Sequence, residues 1–500
     1  MKLANSPNTS AEPLNLDQHF ETFRKGIIGQ NTTFDGPYGT KSILYADWTA
    51  SGRLYDPIEQ FMLKNIAPLV ANTHTETNYT GSSMTLAYKK ARSIIKEHVG
   101  AQSRDVLISS NSGMTGVVNK FQRILGLKIY EKYRDQIQIP EADRPVVFIT
   151  HMEHHSNQTS WLETIADVEI IQPTADGLVE LQSLEELLKK YAHRKVKYAA
   201  VTSCSNVTGI RTPYYEMAEL MHQHGGYIFV DFACSAPYIE INMHPEHPEQ
   251  YLDAIFFSPH KYLGGPGSSG ILIFNPVLYK NRVPDNPGGG TVNWTNPWGG
   301  HTYLEEIEWR EDGGTPAFLQ TIRVALSCQL KDQMGVSHIL AKEEELLEVL
   351  WPLLDEVPGL VTLASQHRER LGVISFYIKG MHFNLGVKLL NDRFGIQVRG
   401  GCSCAGTYGH YLLEVSEQTS HSITDKIDHG DLTEKPGWIR LSIHPTMTKA
   451  EMSYIGEALK SIAENHKNWG KAYDYDPHTN EFKHPKDAQV EHMIEQWFKS

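Results

Sequence analysis

The feature that most constrains this chain is a series of seven short apolar runs spread between residues 106 and 274. Each run is rich in β-branched or aromatic residues, as buried strands are. The runs are Val106–Ser110, Val146–Thr150, Val168–Gln172, Tyr198–Ser203, Tyr227–Asp231, Ala254–Ser258 and Gly270–Phe274. Helical patterns separate several of them. Because strands that alternate with helices build sheets buried on both faces, we expect an α/β domain in which helices sandwich a mainly parallel, seven-stranded sheet.

The clearest of the helical patterns places Leu184, Leu187, Leu188 and Tyr191 on one face of a helix. Ser183, followed three residues later by Glu186, predicts a capping box at the start of this helix. Further helices are predicted around Leu319–Met334 and Ile339–Leu354.

The last third of the chain has the pattern of a smaller α+β unit. Strands are predicted near Leu360–Leu363, Val373–Ile378, Gln397–Val398 and Trp438–Ile443, and helices near Phe383–Phe394 and Lys449–Ala463. The polar stretch Glu417–Gly437 is typical of a long loop or insertion. We therefore expect an N-terminal arm and segment (1–84), a large domain (85–335), a small C-terminal domain (336–466) and a C-terminal extension (467–500).

Composition narrows the classes of partner. With 40% hydrophobic residues the 500-residue chain can bury a large core, and its net charge of −13 argues against nucleic acid or an anionic membrane as main partner. The start, MKLANSPNTS, lacks a signal-peptide pattern, and no apolar run approaches the length that spans a membrane. The five cysteines are few and odd in number, so a framework of disulfide bonds is not expected. We expect a cytoplasmic protein.

Five polar segments follow the predicted strands, at the sheet edge where ligands collect in α/β folds. The first, Ser109–Gly116, is a small-residue turn before a helix, which suits a phosphate, although such turns are common. The second, Glu153–Asn157, offers His154, which either stacks on a planar cofactor or packs under a loop. The third, Ser205–Gly209, offers Asn206, either as a donor to a cofactor oxygen or as plain turn chemistry.

The last two segments carry charge. Asp231 ends a strongly apolar run, where a buried carboxylate is costly unless a cation lies beside it. That cation is either a lysine or arginine in a salt bridge or the protonated ring nitrogen of a cofactor. The remaining alternative is that Asp231 caps the start of a helix. Lys261, in Ser258-Pro259-His260-Lys261, follows another such run and is a candidate amine for a Schiff base, although most lysines are solvated. Together, in this chain order, the five segments predict a site for pyridoxal 5′-phosphate.

The ordered motifs SGMTG, EHHSN, SNVTG, VDFA, SPHK, GGGT, GGTP, RGGCSC and IRLS resemble those of the class-V, fold-type I pyridoxal-phosphate enzymes. Within that family the chain is most similar to the cysteine desulfurase and selenocysteine lyase group. The resemblance runs from about Tyr45 to Ala463 and implies the fold-type I architecture.

The resemblance implies a role for each matching residue. Lys261 would be the Schiff-base lysine and proton shuttle, Asp231 the partner of the pyridinium nitrogen, and His154 the stacking imidazole with a catalytic role. Asn206 would lie near the phenolic oxygen of the cofactor and near the substrate. The other implied cofactor contacts are Ser112, Gly113, Met114, Thr115, Ala233, Ser258, His260, Gly290 and Thr291.

Gly290 and Thr291 match a loop that the partner subunit offers to the phosphate, so the resemblance implies a homodimer with shared active sites. Arg440 matches the arginine that binds the substrate α-carboxylate, and Arg399 and His74 match further substrate-binding positions. No metal site is expected, since Cys402, Cys404 and His410 fall short of the usual set of four zinc ligands.

Cys404, in Arg399-Gly400-Gly401-Cys402-Ser403-Cys404, falls on the position of the family's mobile nucleophile. In desulfurases that thiolate takes the sulfur of cysteine, forms a persulfide and releases alanine. Arg399 close by favours the thiolate form. The alternative is a cysteine buried for packing.

Three departures from the family pattern put the substrate in question. Cys234 stands where the family has glutamine, the segment Asn72–Thr75 lacks the expected arginine, and Cys402 is an additional thiol that allows an exchange step with Cys404. The resulting prediction is a desulfurase or selenocysteine lyase that passes sulfur to a possible acceptor protein. The alternatives are an aminotransferase, a β-eliminating lyase or an epimerase in which Cys404 is not catalytic, and an inactive sulfur carrier or scaffold.

Overall fold

The computed structural model of this chain describes residues 15–487 and 490–499. The first fourteen residues of the expected N-terminal arm therefore lie outside the described part. The described part of the arm begins with a short amphipathic helix, Leu16–Arg24, which buries Phe20 and Phe23 against later helices of the same chain.

The helices are numbered in chain order. They are α1 Leu16–Arg24, α2 Asp56–Phe61, α3 Tyr79–His98, α4 Gly113–Ile124, α5 His155–Leu162, α6 Leu181–Lys190, α7 Tyr214–Gln223, α8 Ile307–Arg310, α9 Phe318–Met334, α10 Val336–Asp355, α11 Phe383–Phe394, α12 Gly406–Leu412, α13 Glu417–Asp428, α14 Lys449–Trp469 and α15 Val490–Trp497.

The strands are numbered in the same way. They are β1 Thr33–Gly36, β2 Gly39–Ser42, β3 Leu44–Tyr45, β4 Val106–Ser110, β5 Val146–Thr150, β6 Asp167–Ile171, β7 Lys197–Thr202, β8 Tyr227–Asp231, β9 Ala254–Phe257, β10 Gly270–Phe274, β11 Val292–Thr295, β12 His301–Tyr303, β13 Leu360–Thr362, β14 Val373–Ile378, β15 Ile396–Gln397, β16 Arg399–Gly401, β17 Trp438–Ser442, β18 Asp474–Asp476 and β19 Glu481–Lys483.

The large sheet confirms the predicted fold class. Seven strands lie in the order β4-β10-β9-β8-β7-β5-β6, and only β10 runs antiparallel to its neighbours. Every predicted strand forms within two residues of its expected bounds. Because six of the strands point the same way, the segments that follow them meet at one edge. That edge includes the switch in strand order between β5 and β7, where ligands bind in α/β sheets.

Helix α4 shows how the sheet is covered. Its sequence places Val117, Val118 and Phe121 on one face, and all three are fully buried. The Phe121 ring packs edge-on against Phe229 of β8, with ring centroids 5.0 Å apart. This packing fixes the N-terminus of α4 above the end of β4, where the small-residue turn lies.

The last third of the chain forms a second, four-stranded antiparallel sheet in the order β13-β14-β17-β16. An early segment lies beside it: β3 pairs with β15 in a separate two-stranded parallel sheet, and Asp47 forms a bridge to Ser442 at the end of β17. The Thr49 N–H donates to Oγ of Ser442 at 2.9 Å. Residues 44–49 therefore belong spatially to the C-terminal sheet, at the border with the large one.

Two local expectations are wrong. Ser183 does not cap a helix: α6 begins earlier, at Leu181, and the Ser183 hydroxyl accepts the backbone N–H of Gln172 at 2.9 Å. The stretch Glu417–Gly437 contains the helix α13, which Ser416 caps by accepting the Thr419 N–H at 3.2 Å. None of the residues of α13 is buried, and its sequence is mostly polar, so it resembles that of a loop. None of the helices in the described residues is long and apolar enough to cross a membrane.

Candidate active site

A cavity of about 250 Å³ lies at the carboxyl edge of the large sheet. It is bordered by residues 402–405 between β16 and α12, here called the Cys404 loop, and by Arg440 of the small sheet. It brings together most of the residues singled out in the sequence: Ser112, Gly113, Met114, Thr115, His154, Asn206, Asp231, Ala233, Ser258, His260, Lys261, Arg399, Cys404 and Arg440. His74, Gly290 and Thr291 do not line it. The five strand-end segments therefore do converge, as the parallel sheet requires.

The turn before α4 forms one wall of the cavity. Gly113 has a φ of +61°, which a side chain would strain, and the next residue, Met114, donates its backbone N–H to Oγ of Ser258 at 2.9 Å. Gly270 packs so closely that a Cβ there would lie 2.1 Å from the Gly113 carbonyl oxygen. The wall thus presents hydroxyl groups and a helix N-terminus, a combination that binds phosphate groups.

Lys261 and Asp231 are the two oppositely charged side chains on the cavity floor. Asp231 is buried and Lys261 is partly buried. Burial lowers the pKa of the Lys261 ammonium, although the neighbouring Cys234 and Asp231 oppose this. Burial also raises the pKa of Asp231 to about 6, against the Ala233 N–H, which donates to its carboxylate at 2.7 Å, and against Lys261. The lysine is therefore held closer to its neutral, nucleophilic form than a lysine in water.

His154 lies at the N-terminus of α5 and faces the cavity. Its Nδ1 accepts the backbone N–H of Ser156 at 3.1 Å. Burial, together with the positive charge of Lys261, lowers the pKa of His154 to about 3. The ring is therefore neutral at physiological pH, and a flat neutral imidazole suits stacking on an aromatic cofactor.

The Cys404 loop has strained backbone and is held at two points. Ser403 and Cys404 have φ values of +52° and +56°, which non-glycine residues adopt at a cost of about 1–3 kcal/mol each. The Asn206 amide donates to the Ser403 carbonyl at 2.7 Å, and the His155 backbone N–H donates to the Cys404 carbonyl at 2.8 Å. Cys404 itself is exposed at the cavity mouth. Asn206 therefore ties the Cys404 loop to the floor of the site.

Arg440 and Arg399 share a carboxylate that the sequence did not reveal. Asp47 accepts from Nη2 of Arg440 at 2.8 Å and from Nε of Arg399 at 3.3 Å. The partners are separated by 393 and 352 residues along the chain, so no local pattern in the sequence could have paired them.

Four polar atoms of cavity-lining residues are buried and have no hydrogen-bond partner among the described residues. They are Oγ1 of Thr49, Oδ1 of Asn206, Oγ of Ser403 and Nε of Arg440. Because an unpaired buried polar atom is costly, such atoms mark places where a polar ligand completes the hydrogen bonding. The donors and acceptors present fit a phosphate-bearing, carboxylate-bearing ligand.

His74, Gly290 and Thr291 form a separate cluster. A Cβ on Gly290 would lie 2.9 Å from the His74 ring, and the Thr291 hydroxyl donates to the Gly288 carbonyl. This cluster lies at the base of the β11–β12 hairpin and contributes nothing to the lining of the cavity of the same chain. Their roles at the cofactor and substrate stay predictions.

Sequence reasoning missed several residues of the cavity lining: Thr49, Ala50, Ser156, Thr202, Cys204 and Ser403. Cys204 lies beside Cys234, and both thiols contact the Ser205 carbonyl at 3.6 Å. Ser156, Cys204 and Ser403 lie within two residues of predicted site residues along the chain, which is the sequence signal that could have found them. The described residues contain no group of three or more His, Cys, Asp or Glu side chains arranged to hold a metal ion.

Comparison with known proteins identifies the family. The model of the class-V aminotransferases matches residues 44–455. The chain belongs to the class-V aminotransferase family. Members of this family are pyridoxal-phosphate-dependent enzymes, and so is this chain.

This class-V enzyme is similar to proteins described as cysteine desulfurases. A probable cysteine desulfurase of Halalkalibacterium halodurans is 28% identical over 339 residues, which cover 67% of this chain and 77% of the relative. The cysteine desulfurase of Escherichia coli O7:K1 is 32% identical over 265 residues, 52% of this chain and 62% of the relative.

Solved structures show the same fold. The apo structure of a cysteine desulfurase from Thermococcus onnurineus superposes with a TM-score of 0.71 at 22% sequence identity. The superposition covers 89% of this class-V chain and 98% of the Thermococcus chain. The cysteine desulfurase CsdA of Escherichia coli gives a TM-score of 0.69 at 20% identity, covering 91% and 99%.

Proposed function

We propose that this class-V enzyme is a cysteine desulfurase or selenocysteine lyase, which removes sulfur or selenium from L-cysteine or L-selenocysteine and releases alanine. One observation carries the proposal: the exposed thiol of Cys404 and the partly buried side chain of Lys261 line the same cavity. An aminotransferase or an epimerase needs the lysine and has no use for a thiol on a strained loop at the cavity mouth.

The residues of the cavity fit pyridoxal 5′-phosphate. The turn Ser112–Thr115 with Ser258 and His260 would hold its phosphate, Asp231 its ring nitrogen and His154 the face of its ring. Ala233, next to Asp231, would complete the floor. When bound, the cofactor acts as an electron sink for the bonds of the substrate α-carbon.

The side chains of the chain divide the remaining work. Lys261, whose pKa burial lowers, accepts and returns a proton at Nζ. Arg440 binds the substrate α-carboxylate through its unpartnered Nε, and Asn206 keeps the Cys404 loop beside the substrate. Because His154 and His260 have pKa values lowered to about 3 and about 4, neither competes for that carboxylate as a cation at neutral pH.

Cys404 takes the sulfur. Its sulfur forms a bond with the sulfur of the substrate, and the carbon–sulfur bond of the substrate breaks, so that one cysteine and one enzyme thiol give one alanine and one Cys404 persulfide. The atoms balance without an external oxidant or reductant. The persulfide then passes its terminal sulfur to an acceptor thiol, such as that of an acceptor protein.

We further propose that the enzyme is a homodimer in which Gly290, Thr291 and His74 complete the site of the partner subunit. None of the three lines the cavity of its own chain, which supports this arrangement. So does the adjoining hairpin, whose Trp294 and Trp298 are 51% and 88% exposed. Co-expression of Lys261→Ala with His74→Ala chains tests it: shared sites restore part of the activity in hybrid dimers, and independent sites do not.

The decisive experiment incubates the cofactor-loaded enzyme with L-cysteine and measures alanine, keto acid and protein-bound persulfide together. We expect alanine and persulfide in equal amounts during the first turnover. Cys404→Ser should abolish both while the cofactor stays bound, and Cys402→Ser is the matched control because it removes the neighbouring thiol only. Keto acid as the main product, or full alanine release by Cys404→Ser, would refute the proposal.

A further inference from the structure

Arg399 and Arg440, which both line the cavity, are neighbours on two adjacent strands. Arg399 of β16 and Arg440 of β17 are direct partners in the antiparallel register. Like charges at such positions repel each other, and neighbouring strands hold their Cβ atoms only about 5 Å apart. A sheet that keeps two arginines there needs an anion between them.

Asp47 is that anion. Its two carboxylate oxygens take one arginine each, Oδ1 from Arg440 and Oδ2 from Arg399. The side chain of Asp47 is only 14% exposed and that of Arg440 only 3%, so water screens this pair weakly. The segment that carries Asp47 is fixed by two backbone bonds, from Ala46 N–H to the Gln397 carbonyl and from Ser442 N–H to the Ala46 carbonyl, both at 2.8–2.9 Å.

The charge balance at this end of the cavity follows directly. Two guanidinium groups and one carboxylate leave a net charge of +1. The histidines that line the cavity do not add to it, because burial lowers the pKa values of His154 and His260 far below neutrality. The remaining charged lining residues, Lys261 and Asp231, carry opposite charges and influence each other's pKa. One positive charge matches one substrate carboxylate.

We propose that Asp47 is a specificity-determining residue, which cancels one arginine charge and so restricts the substrate to amino acids with an uncharged side chain. The proposal deepens the proposed function, since cysteine and selenocysteine fit this class whereas aspartate and cysteine sulfinate do not. A second anionic group on the substrate would meet no further uncompensated cation among the described lining residues and would approach arginines whose charge Asp47 already offsets.

The test titrates the cofactor-loaded enzyme with asparagine and with aspartate, which have the same shape and differ in one charge. Binding is followed by the change in cofactor absorbance, so the measurement does not depend on desulfuration. In the parent enzyme asparagine should bind more tightly. In Asp47→Asn the ratio of the two dissociation constants should shift toward aspartate by about tenfold, as expected for removal of one nearby charge. Asp47→Glu should restore the parental ratio.

Turnover provides a second readout. The ratio of kcat/KM for L-cysteine sulfinate to that for L-cysteine should rise in Asp47→Asn. The matched control is Glu451→Gln, which breaks an ion pair with Arg24 of similar exposure; neither residue lines the cavity, so both ratios should stay unchanged. In the cofactor-free enzyme, Asp47→Asn should lower the melting temperature at low ionic strength, and added salt should recover part of the loss because it screens the arginine repulsion.

An asparagine-to-aspartate ratio in Asp47→Asn within twofold of the parent would overturn the proposal, whatever the enzyme does with cysteine. If Asp47→Asn does not fold, Arg399→Gln carries the test, because it removes a positive charge and should shift the ratio in the opposite direction. An unchanged ratio in Arg399→Gln is equally a refutation. Failure of cysteine turnover alongside the expected shift would overturn only the proposed function.

Discussion

The burial of Asp231 has a measurable cost in the cofactor-free enzyme. Its pKa is raised from 3.8 to about 6, which corresponds to roughly 3 kcal/mol at 1.36 kcal/mol for each tenfold change in the proton equilibrium. Because the pKa is higher in the folded state than in the unfolded state, the folded state binds the proton more tightly. The stability that this proton contributes is fully present below about pH 4 and is lost as the pH rises through 6.

Asp231→Asn removes this dependence, since the amide does not titrate and its oxygen still accepts the Ala233 N–H. We therefore expect the cofactor-free variant to gain stability relative to the parent as the pH rises, by about 1.4 kcal/mol between pH 5 and pH 8. In holoenzyme the same change removes the partner of the ring nitrogen, so turnover should fall steeply. Gain of stability together with loss of turnover is what we expect when a residue needed for catalysis destabilises the fold.

The assay is urea unfolding of cofactor-free parent and variant at pH 5, 6, 7 and 8, with the free energy of unfolding from the midpoint and slope. Other titrating groups cancel in the difference between the two proteins. A matched control repeats the pair in a Lys261→Met background, where the gap should widen because the Lys261 charge lowers the pKa of Asp231 in the parent. A difference that does not change with pH, or that shrinks as the pH rises, would refute the reasoning.

Three single contacts lead to further predictions. Asn206→Ala, in a Cys402→Ser background, should speed alkylation of Cys404 by about fivefold, since the loop loses a hydrogen bond worth about 1 kcal/mol; an unchanged rate would mean that Asn206 does not hold the loop. Glu343→Gln should gain stability relative to the parent as the pH rises from 5 to 8, because burial raises the pKa of Glu343 from 4.5 to about 8 and the parent loses stability over that interval; thermal melts at pH 5 and pH 8 measure it. Ser183→Ala should lower the free energy of unfolding by about 1 kcal/mol because it leaves the Gln172 N–H without its acceptor, whereas Glu186→Ala should lower it little. Urea unfolding measures both, and equal losses would support a capping box formed by Ser183 and Glu186 instead.

Much of the architecture is predictable because it follows from local patterns. Strand-length apolar runs alternating with amphipathic helices dictate a parallel sheet, and a parallel sheet dictates that polar segments after its strands converge. This is why the sequence pattern suffices to assign His154, Asp231 and Lys261 to one site. Local errors occur where a pattern is ambiguous: α13 has no buried residue to give it a helical stripe, and Ser183 has two possible uses for its hydroxyl.

The sequence by itself therefore determined the fold class, the family motifs and the residues of the cavity floor, because each depends on short stretches of chain. Only the tertiary structure decided which charges meet at the cavity mouth. Asp47 reaches Arg399 and Arg440 because an early segment inserts beside the C-terminal sheet, and Asn206 reaches the Cys404 loop across the same border. Such contacts between distant segments depend on how whole sheets pack together, and no local periodicity encodes that packing.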